Sequence, residues 1–294
     1  MVGPRQKRKV AEYLENEFKI SERKACKTMN LARSTKRRSY KRDDSQLIDN
    51  IHQLSYDYPY FGYRKIHIKL KEKDLKIGKE KVRILRKEHG LQLSPKKAKK
   101  RRLGLATGIV SKALYPNHVW TYDFIFDQTE DARSLKWLTV VDEYSRKSIA
   151  NFCARSFNSK RVISSLKTLI QIHGNPKYIR SDNGSEFIAK GIQNYLKANQ
   201  IKTHYIKPAS PWENAYGEGF NAIFRTTCLN RHLFSSPSEA QMIADIWRDE
   251  YNNERPHGGL KMLSPNEFIR QHHEAKKAAS LKLALVKQKE RILS

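Results

Sequence analysis

The feature that most constrains this 294-residue chain is a change of pattern at Val119. Val119–Phe126, Leu135–Tyr144 and Lys147–Ser156 are three runs rich in β-branched and aromatic residues. The connections between them are too short for a crossover, so adjacent antiparallel strands are expected. Val162, Leu166, Leu169 and Ile170 then recur at helical spacing over 159–173. Tyr178–Ser181 reads as a short strand that ends at the turn-forming Asp182-Asn183-Gly184. A helix over 185–199, a strand over Lys202–Ile206 and helices near 211–233 and 237–253 complete the pattern.

Three strands, helix, strand, helix, strand and closing helices is the order of a ribonuclease-H-like fold, an α/β domain with a mixed five-stranded sheet. Three carboxylates stand out within it. Asp123 lies in mid-strand among Trp120, Tyr122 and Phe124, where an unpaired charge is costly. Asp182 ends the fourth strand, and Glu218 falls on a helix. Ser210-Pro211-Trp212-Glu213 has the form of a capping box with proline at the first helical position, which accounts for Glu213 but not for Glu218, more than a turn further on. Glu218 stands between Gly217 and Gly219. Each glycine costs about 1 kcal/mol relative to alanine inside a helix, so a bulky ligand such as DNA is expected against that face.

Three acids suit phosphoryl transfer by two divalent cations about 4 Å apart. Unit charges at that distance repel by about 4 kcal/mol at an effective dielectric of about 20, and two dications by roughly four times as much. Three carboxylates and a phosphate offset that repulsion, and hard oxygen donors favour Mg²⁺ or Mn²⁺. Asp127, Asp142 and Glu186 are rival ligands, expected to be structural.

Charge bears on the partner. The chain carries 58 Lys and Arg against 30 Asp and Glu, a formal net charge of +28, which points to polyanionic nucleic acid. Residues 1–110 hold 31 of those bases and 12 of the acids, so the excess is concentrated ahead of the α/β domain. There, a helix near 5–17, a helix from an N-cap at Ser21 to about Met29, and a basic helix bearing Arg33, Lys36, Arg37 and Arg38 form a helix-turn-helix pattern. A second all-α module follows, with Leu47, Ile48, Ile51 and Leu54 at helical spacing, a break at Tyr58–Tyr63, and helices near 63–73 and 78–89. Arg64, Lys65, Lys81 and Arg83 are its candidate DNA contacts, and its Tyr/Phe cluster is expected to be core. Lys96–Arg102 puts six positive charges in seven residues. That run adds salt-sensitive affinity for DNA or serves as a localisation signal, and composition does not separate the two.

The expected organisation is a basic helix-turn-helix module at 1–42, a second helical DNA-binding module at 43–93, a basic linker at 94–117, the catalytic core at 118–270 and a basic helical tail at 271–294, used in assembly or solvated. Cys26, Cys153 and Cys228 stand far apart, without metal-ligand or disulfide spacing. The opening segment lacks the apolar stretch of a signal peptide, and no run approaches membrane-spanning length. A soluble cytoplasmic protein without a membrane partner is expected.

Trp120-Thr121-Tyr122-Asp123, Ser181-Asp182-Asn183-Gly184-Ser185-Glu186-Phe187 and the segment Pro211–Asn221 resemble the DDE transposases of bacterial insertion sequences and, more distantly, retroviral integrases. Asp182 and Glu218 are separated by 35 residues, the family's spacing, and Tyr251–His257 and Ser264-Pro265 also match. The resemblance spans nearly the whole chain and is closest to second-reading-frame products, which are made as fusions with an upstream frame. It implies that Asp123, Asp182 and Glu218 are catalytic and hold two metal ions. It implies Trp212, Asn214 and Arg225 at the DNA, and water-driven cleavage of element ends followed by attack of the freed 3′-hydroxyl on another strand. Its implied partners are duplex DNA (terminal inverted repeats and target), further copies of the chain in a paired-end complex, and the upstream-frame protein. Family members usually carry Ser where this chain has Gly219. The competing readings are a non-catalytic transposase-derived repressor, and a nuclease that only hydrolyses.

Overall fold

A computed structural model describes residues 3–37, 44–94, 112–181, 184, 189–205 and 215–293, and the chain divides into two compact units. The first comprises residues 1–59 and 84–91, the second 60–83 and 92–294.

In the first unit, α1 (Pro4–Phe18), α2 (Glu22–Thr28) and α3 (Arg33–Arg37) form the expected helix-turn-helix order. Ser21 caps α2 by accepting the Lys24 N–H, and Ala11, Ala25, Cys26 and Leu31 are buried. The turn between α2 and α3 passes through Asn30 at φ 46°, a left-handed conformation that asparagine tolerates better than most residues. Next comes α4 (Ser45–Asp57), which buries Ile51 and Leu54. The end of α6 (Lys79–Glu88) belongs to this unit, where Arg86 donates to the Leu91 carbonyl at 2.6 Å.

The second unit takes α5 (Tyr63–Glu72) together with the α/β domain. Phe61 and Tyr60, from the aromatic cluster before α5, meet Arg255 and Arg231, with guanidinium carbons 5.4 and 5.8 Å from the ring centroids. Lys69 of α5 pairs with Glu254 at 3.4 Å. The second helical segment is therefore divided, with α5 packed on the core.

The sheet contains β1 (Val119–Gln128), β2 (Ser134–Asp142), β3 (Ser148–Ala154), β4 (Tyr178–Ser181) and β5 (Lys202–Tyr205) in the order β3-β2-β1-β4-β5. β1–β2 and β2–β3 are antiparallel, while β1–β4 and β4–β5 are parallel. The parallel pairs need crossovers, which α7 (Ser159–His173) and α8 (Lys190–Ala198) provide. This is the mixed five-stranded sheet of a ribonuclease-H-like domain.

Both faces are covered, which explains why β2 is buried at every position after Ser134 instead of alternating. On one face Trp120, Tyr122, Leu138 and Ile179 pack with Leu166 of α7 and Ile192 and Leu196 of α8. On the other, Ile125, Leu135, Trp137 and Val141 pack with Phe220 and Phe224 of α9 (Ala215–Thr227) and Ala240, Ala244 and Tyr251 of α10 (Pro237–Asn253). The chain ends in α11 (Pro265–Leu293), which runs without a break through residue 271, so tail and core share one helix.

Strand β3 is an edge, and α10 closes it with two side-chain amides. Gln241 accepts the Cys153 N–H at 2.7 Å and donates to the Asn151 carbonyl at 3.0 Å. Three turns on, Asn252 does the same for both backbone groups of Ser148, each at 2.9 Å. The two amides stand in for a neighbouring strand. Stranding a buried backbone group costs about 1–3 kcal/mol, so the Gln241→Ala/Asn252→Ala protein is expected to lose about 3 kcal/mol of stability and to aggregate through β3. Urea unfolding and light scattering check this; an unchanged midpoint would show that the amides are dispensable.

Candidate active site

Alternation along β1 decides which way Asp123 points. Trp120 and Tyr122 enter the core beneath α7 and α8, so Thr121, Asp123 and Ile125 face the α9 side. Asp123 is half-buried there and lies opposite Thr139 of β2. One carboxylate oxygen accepts its neighbour Phe124 N–H at 2.8 Å, and the other accepts the side-chain N–H of Asn221 at 2.8 Å. The Thr139 hydroxyl lies 3.0 Å from the Asn221 side-chain oxygen and 3.2 Å from the Asp123 carbonyl oxygen. A carboxylate only accepts, so it fixes which end of the Asn221 amide faces it.

Asn221 is three residues beyond Glu218 on α9, and residues at that spacing share a helix face. The Asp123–Asn221 bond thus ties the mid-strand acid to the face of the helix that carries Glu218. Glu218 is exposed in the first turn of α9 and makes no hydrogen bond or ion pair among the described residues. A side chain built at Gly219 would meet no other atom within 4 Å, so that face of α9 is open. Phe220 and Phe224 bury the opposite face against Trp137, whose ring lies edge-on to Phe224 at 5.2 Å, and this packing sets the helix in place.

Of the rival carboxylates, Asp142 has structural work. Asp142 closes the β2–β3 turn, accepting N–H groups from Asn117 at 3.2 Å and Ser145 at 3.1 Å as well as the Ser145 hydroxyl. Burial raises its pKa despite those bonds. Asp127 accepts the Gln128 N–H at 2.9 Å. Glu186 lies outside the described residues, as do Asp182, Trp212, Asn214 and Arg38. Among the described residues no three potential ligands cluster at metal-binding distance.

The remaining candidates divide. Arg225 is half-buried and donates to the Phe126 carbonyl at 2.8 Å, which holds it at the end of β1. Arg33 and Arg37 flank Glu22 at 3.6 and 2.7 Å with exposed side chains, and the Arg37 hydrogen bond holds Glu22 below its usual pKa. Lys36 turns inward to an ion pair with Glu15 of α1. Arg64 is exposed beside the Tyr63 hydroxyl at 3.3 Å, Arg83 pairs with Glu80 at 2.7 Å, and Lys81 is half-buried. Lys65 also points inward, its ammonium 5.0 Å from the Phe61 ring centroid, and burial followed by repulsion from Arg255 pushes its pKa down to about 7.

Asn221 and Thr139 escaped the sequence reading. The signal for Asn221 is its spacing from Glu218, which on an amphipathic helix does not distinguish a site residue from a solvated one. If Asp123 serves catalysis, removing the amide in Asn221→Ala is expected to lower turnover about 10- to 100-fold while substrate affinity holds, because the Asp123 carboxylate loses its orienting donor. Asn221→Asp, which sets a second acceptor against Asp123, is expected to be worse; equal turnover in all three proteins would remove this role.

Three models of known families match the chain. The model of an integrase core domain matches residues 113–211, a second integrase core model matches 199–265, and an HTH-like domain matches 39–99. The chain is 31% identical over 263 residues to an uncharacterized 31.7 kDa protein of insertion element IS407 from Burkholderia multivorans, covering 88% of this chain and 94% of that one. It is 27% identical over 162 residues to the transposase for insertion sequence element IS904 of Lactococcus lactis, covering 54% of this chain and 64% of that one. Among solved structures, the HTLV-2 integrase catalytic core domain in complex with magnesium aligns with a TM-score of 0.45 at 20% identity, over 53% of this chain and 99% of that one. With a relative of that identity spanned almost end to end, and integrase core models meeting across the α/β domain, the chain belongs to the DDE transposases of insertion sequences.

Proposed function

We propose that this transposase cleaves DNA at the ends of its element and joins the freed ends to target DNA, with Asp123, Asp182 and Glu218 holding two divalent cations, Mg²⁺ or Mn²⁺. The observation that carries the reading is the bond from Asn221 to Asp123, which ties the mid-strand acid to the helix of the partnerless Glu218. The donors fit hard cations. Both described acids offer carboxylate oxygens, and Glu218 has no cationic partner among the described residues. When bound, the ions supply stabilisation of the charge that develops on the attacking and leaving oxygens.

The chain's own residues orient and bind. Asn221, itself held by Thr139, orients the Asp123 carboxylate, and Arg225 lies about two helical turns beyond Glu218 at the end of β1, placed to meet a phosphate. In cleavage, water attacks the phosphorus, and the 3′ oxygen leaves and takes up a proton. In joining, that 3′-hydroxyl attacks a target phosphodiester, losing its proton as the target's own 3′ oxygen departs. Trp212, Asn214 and Asp182 enter this reading through the family motif. The exposed Arg33, Arg37, Arg64 and Arg83 are the end-recognition contacts of the helical segments, together with Arg38, Lys81 and the basic stretch within 94–117.

Two ends must be held at once, so the working form is an oligomer in a paired-end complex, with the upstream-frame protein as a further partner. Among the described residues no helix is long and apolar enough to cross a membrane, and the substrate places the enzyme in the cytoplasm at the nucleoid. The test is strand transfer by the purified chain in Mg²⁺ or Mn²⁺ with short duplexes carrying candidate ends. Joined products are expected. Tight binding of the ends with neither nicking nor joining, with or without the upstream-frame protein, would identify a repressor instead.

A further inference from the structure

The segment Tyr251–His257 matches the family without having been given a task, and in the structure it gathers unpaired cations. Tyr251 is buried; its hydroxyl donates to the Arg146 carbonyl at 3.2 Å, and its ring meets His257 edge-on at 4.9 Å. Around this pair stand Arg146 from the β2–β3 turn, Arg255 after α10, and Lys65 of α5. Arg146 lies flat on Tyr216, its guanidinium carbon 3.5 Å from the ring centroid. Arg255 and Lys65 share the Phe61 ring at 5.4 and 5.0 Å.

None of these three cations has an ion pair among the described residues. One nitrogen of Arg146 (Nη1), one of Arg255 (Nε) and His257 Nε2 are buried without any hydrogen-bond partner. Of the carboxylates nearby, Glu143 holds Arg180 and Thr121 through one oxygen and attracts Arg146 without pairing with it, and Glu254 pairs with Lys69. Glu250 sits toward Arg255 and attracts it, its own pKa raised by burial and then by Glu254. The cations still repel one another. His257 is pushed down to about 3, by burial first and then by Arg255, Lys65 and Arg146.

Half-burying like charges side by side is unfavourable unless an anion at their accessible nitrogens offsets them. The position of the cluster indicates which anion. Tyr216, which Arg146 covers, is two residues before Glu218 in the first turn of α9. We infer that Arg146, Arg255 and His257, with Lys65 behind them, form a seat for one backbone phosphate of the DNA strand that passes Glu218. The arginine nitrogens that remain accessible reach the phosphate as charge-assisted donors. Arg146 and Tyr216 then register the strand against the catalytic helix. This inference rests on the reading of the chain as a DNA-acting enzyme, but its test needs no turnover.

The experiment measures affinity of the full chain for a duplex across a salt series, for wild type, Arg146→Met, Arg255→Met and the double variant. Each phosphate neutralised contributes about 0.9 to the slope of log affinity against log salt. Because one phosphate is shared, each single variant is expected to lose up to that amount and the double variant no more than about 0.9, with affinity falling about 10-fold. Arg270→Gln, an exposed arginine paired with Glu267, is the control and keeps the wild-type slope.

Thermal unfolding without DNA separates a seat from a strut. Removing one of several repelling cations is expected to leave the Tm of Arg255→Met unchanged or raised; a lowered Tm with an unchanged slope would mean that the arginine only supports packing, and would overturn the seat. Inorganic phosphate at constant ionic strength tests the source. A Tm rise of several degrees in wild type, absent from the double variant, together with a duplex salt slope that neither single variant changes, would assign the seat to a free anion instead of DNA. A chain that shows the slope change but never joins DNA leaves the seat standing and removes the transposition chemistry.

Discussion

Glu218→Gln and Asp123→Asn are each expected to reduce cleavage and strand transfer at least 1000-fold while leaving duplex binding within about threefold. The substitutions keep size and shape, so packing is preserved: Glu218 is exposed, and Asn at 123 still offers an oxygen to the Phe124 N–H. What they remove is charge. In the proposed site, two dications about 4 Å apart would repel each other strongly, and losing one of three carboxylates would weaken both affinity for the ions and stabilisation of the transition state. A thousandfold loss corresponds to about 4 kcal/mol of transition-state stabilisation, within the range seen for single electrostatic contributors in active sites. Asp123→Asn also turns an acceptor-only group into one that presents an N–H to Asn221, and a flipped Asn221 amide is the expected structural response. The measurement is single-turnover joining on pre-cut ends, with binding followed separately by anisotropy. Activity within tenfold of wild type in either variant would overturn the assignment of that acid.

The sequence carried the α/β domain well because its elements are local. The helix over 159–173 follows from a 3.6-residue period; in the structure Asn158 caps it and Ser236 caps the helix at Pro237–Asn253, each accepting a backbone N–H. Asp123 was legible because a charge amid Trp120, Tyr122 and Phe124 needs an explanation. Contacts between distant segments leave no such local trace. The bond from Asn221 to Asp123 spans 98 positions, and the amides of Gln241 and Asn252 reach β3 across 88 to 104. The inward turns of Lys36 and Lys65 were hidden for the same reason. A lysine on an amphipathic helix looks alike whether it meets solvent, DNA, or Glu15 and Phe61. The alliance of α5 with the core likewise depends on Phe61, Lys69, Glu254 and Arg255 meeting in space.

A second large effect is expected at the ion pair beneath the site. Arg180 on β4 lies two residues before Asp182 and opposite Thr121 on β1, and it donates to Glu143 at 3.1 Å; the two side chains are 4% and 0% exposed. The Thr121 hydroxyl donates to the same oxygen of Glu143, while the other oxygen is buried without a partner. Burial is the largest influence on Glu143 and raises its pKa, against the opposing pull of Thr121, Arg180 and Arg146. Arg180→Met removes part of that pull and leaves a carboxylate in the interior, so a loss of about 3–5 kcal/mol is expected at neutral pH.

The sign of the pH dependence follows from proton binding. A carboxyl whose folded pKa lies above its unfolded value binds more protons when folded, so stability falls as pH rises from the unfolded pKa through the folded one. In Arg180→Met that window widens upward. The variant is therefore expected to lie closest to wild type near pH 5 and to lose most by pH 8. The Arg180→Met/Glu143→Gln protein, with no charge left to bury, is expected to recover a substantial part of the loss and to show no such slope, because a neutral amide tolerates burial better than a carboxylate does. Urea unfolding at several pH values reads all of this. A single variant whose deficit is the same at pH 5 and pH 8 would mean that Glu143 stays ionised or protonated throughout, and that Arg180 acts through packing instead. If the pair does anchor β4, strand transfer in the stable double variant should fall further than its stability does, since the strand that precedes Asp182 in the chain would lose its fixed register against β1.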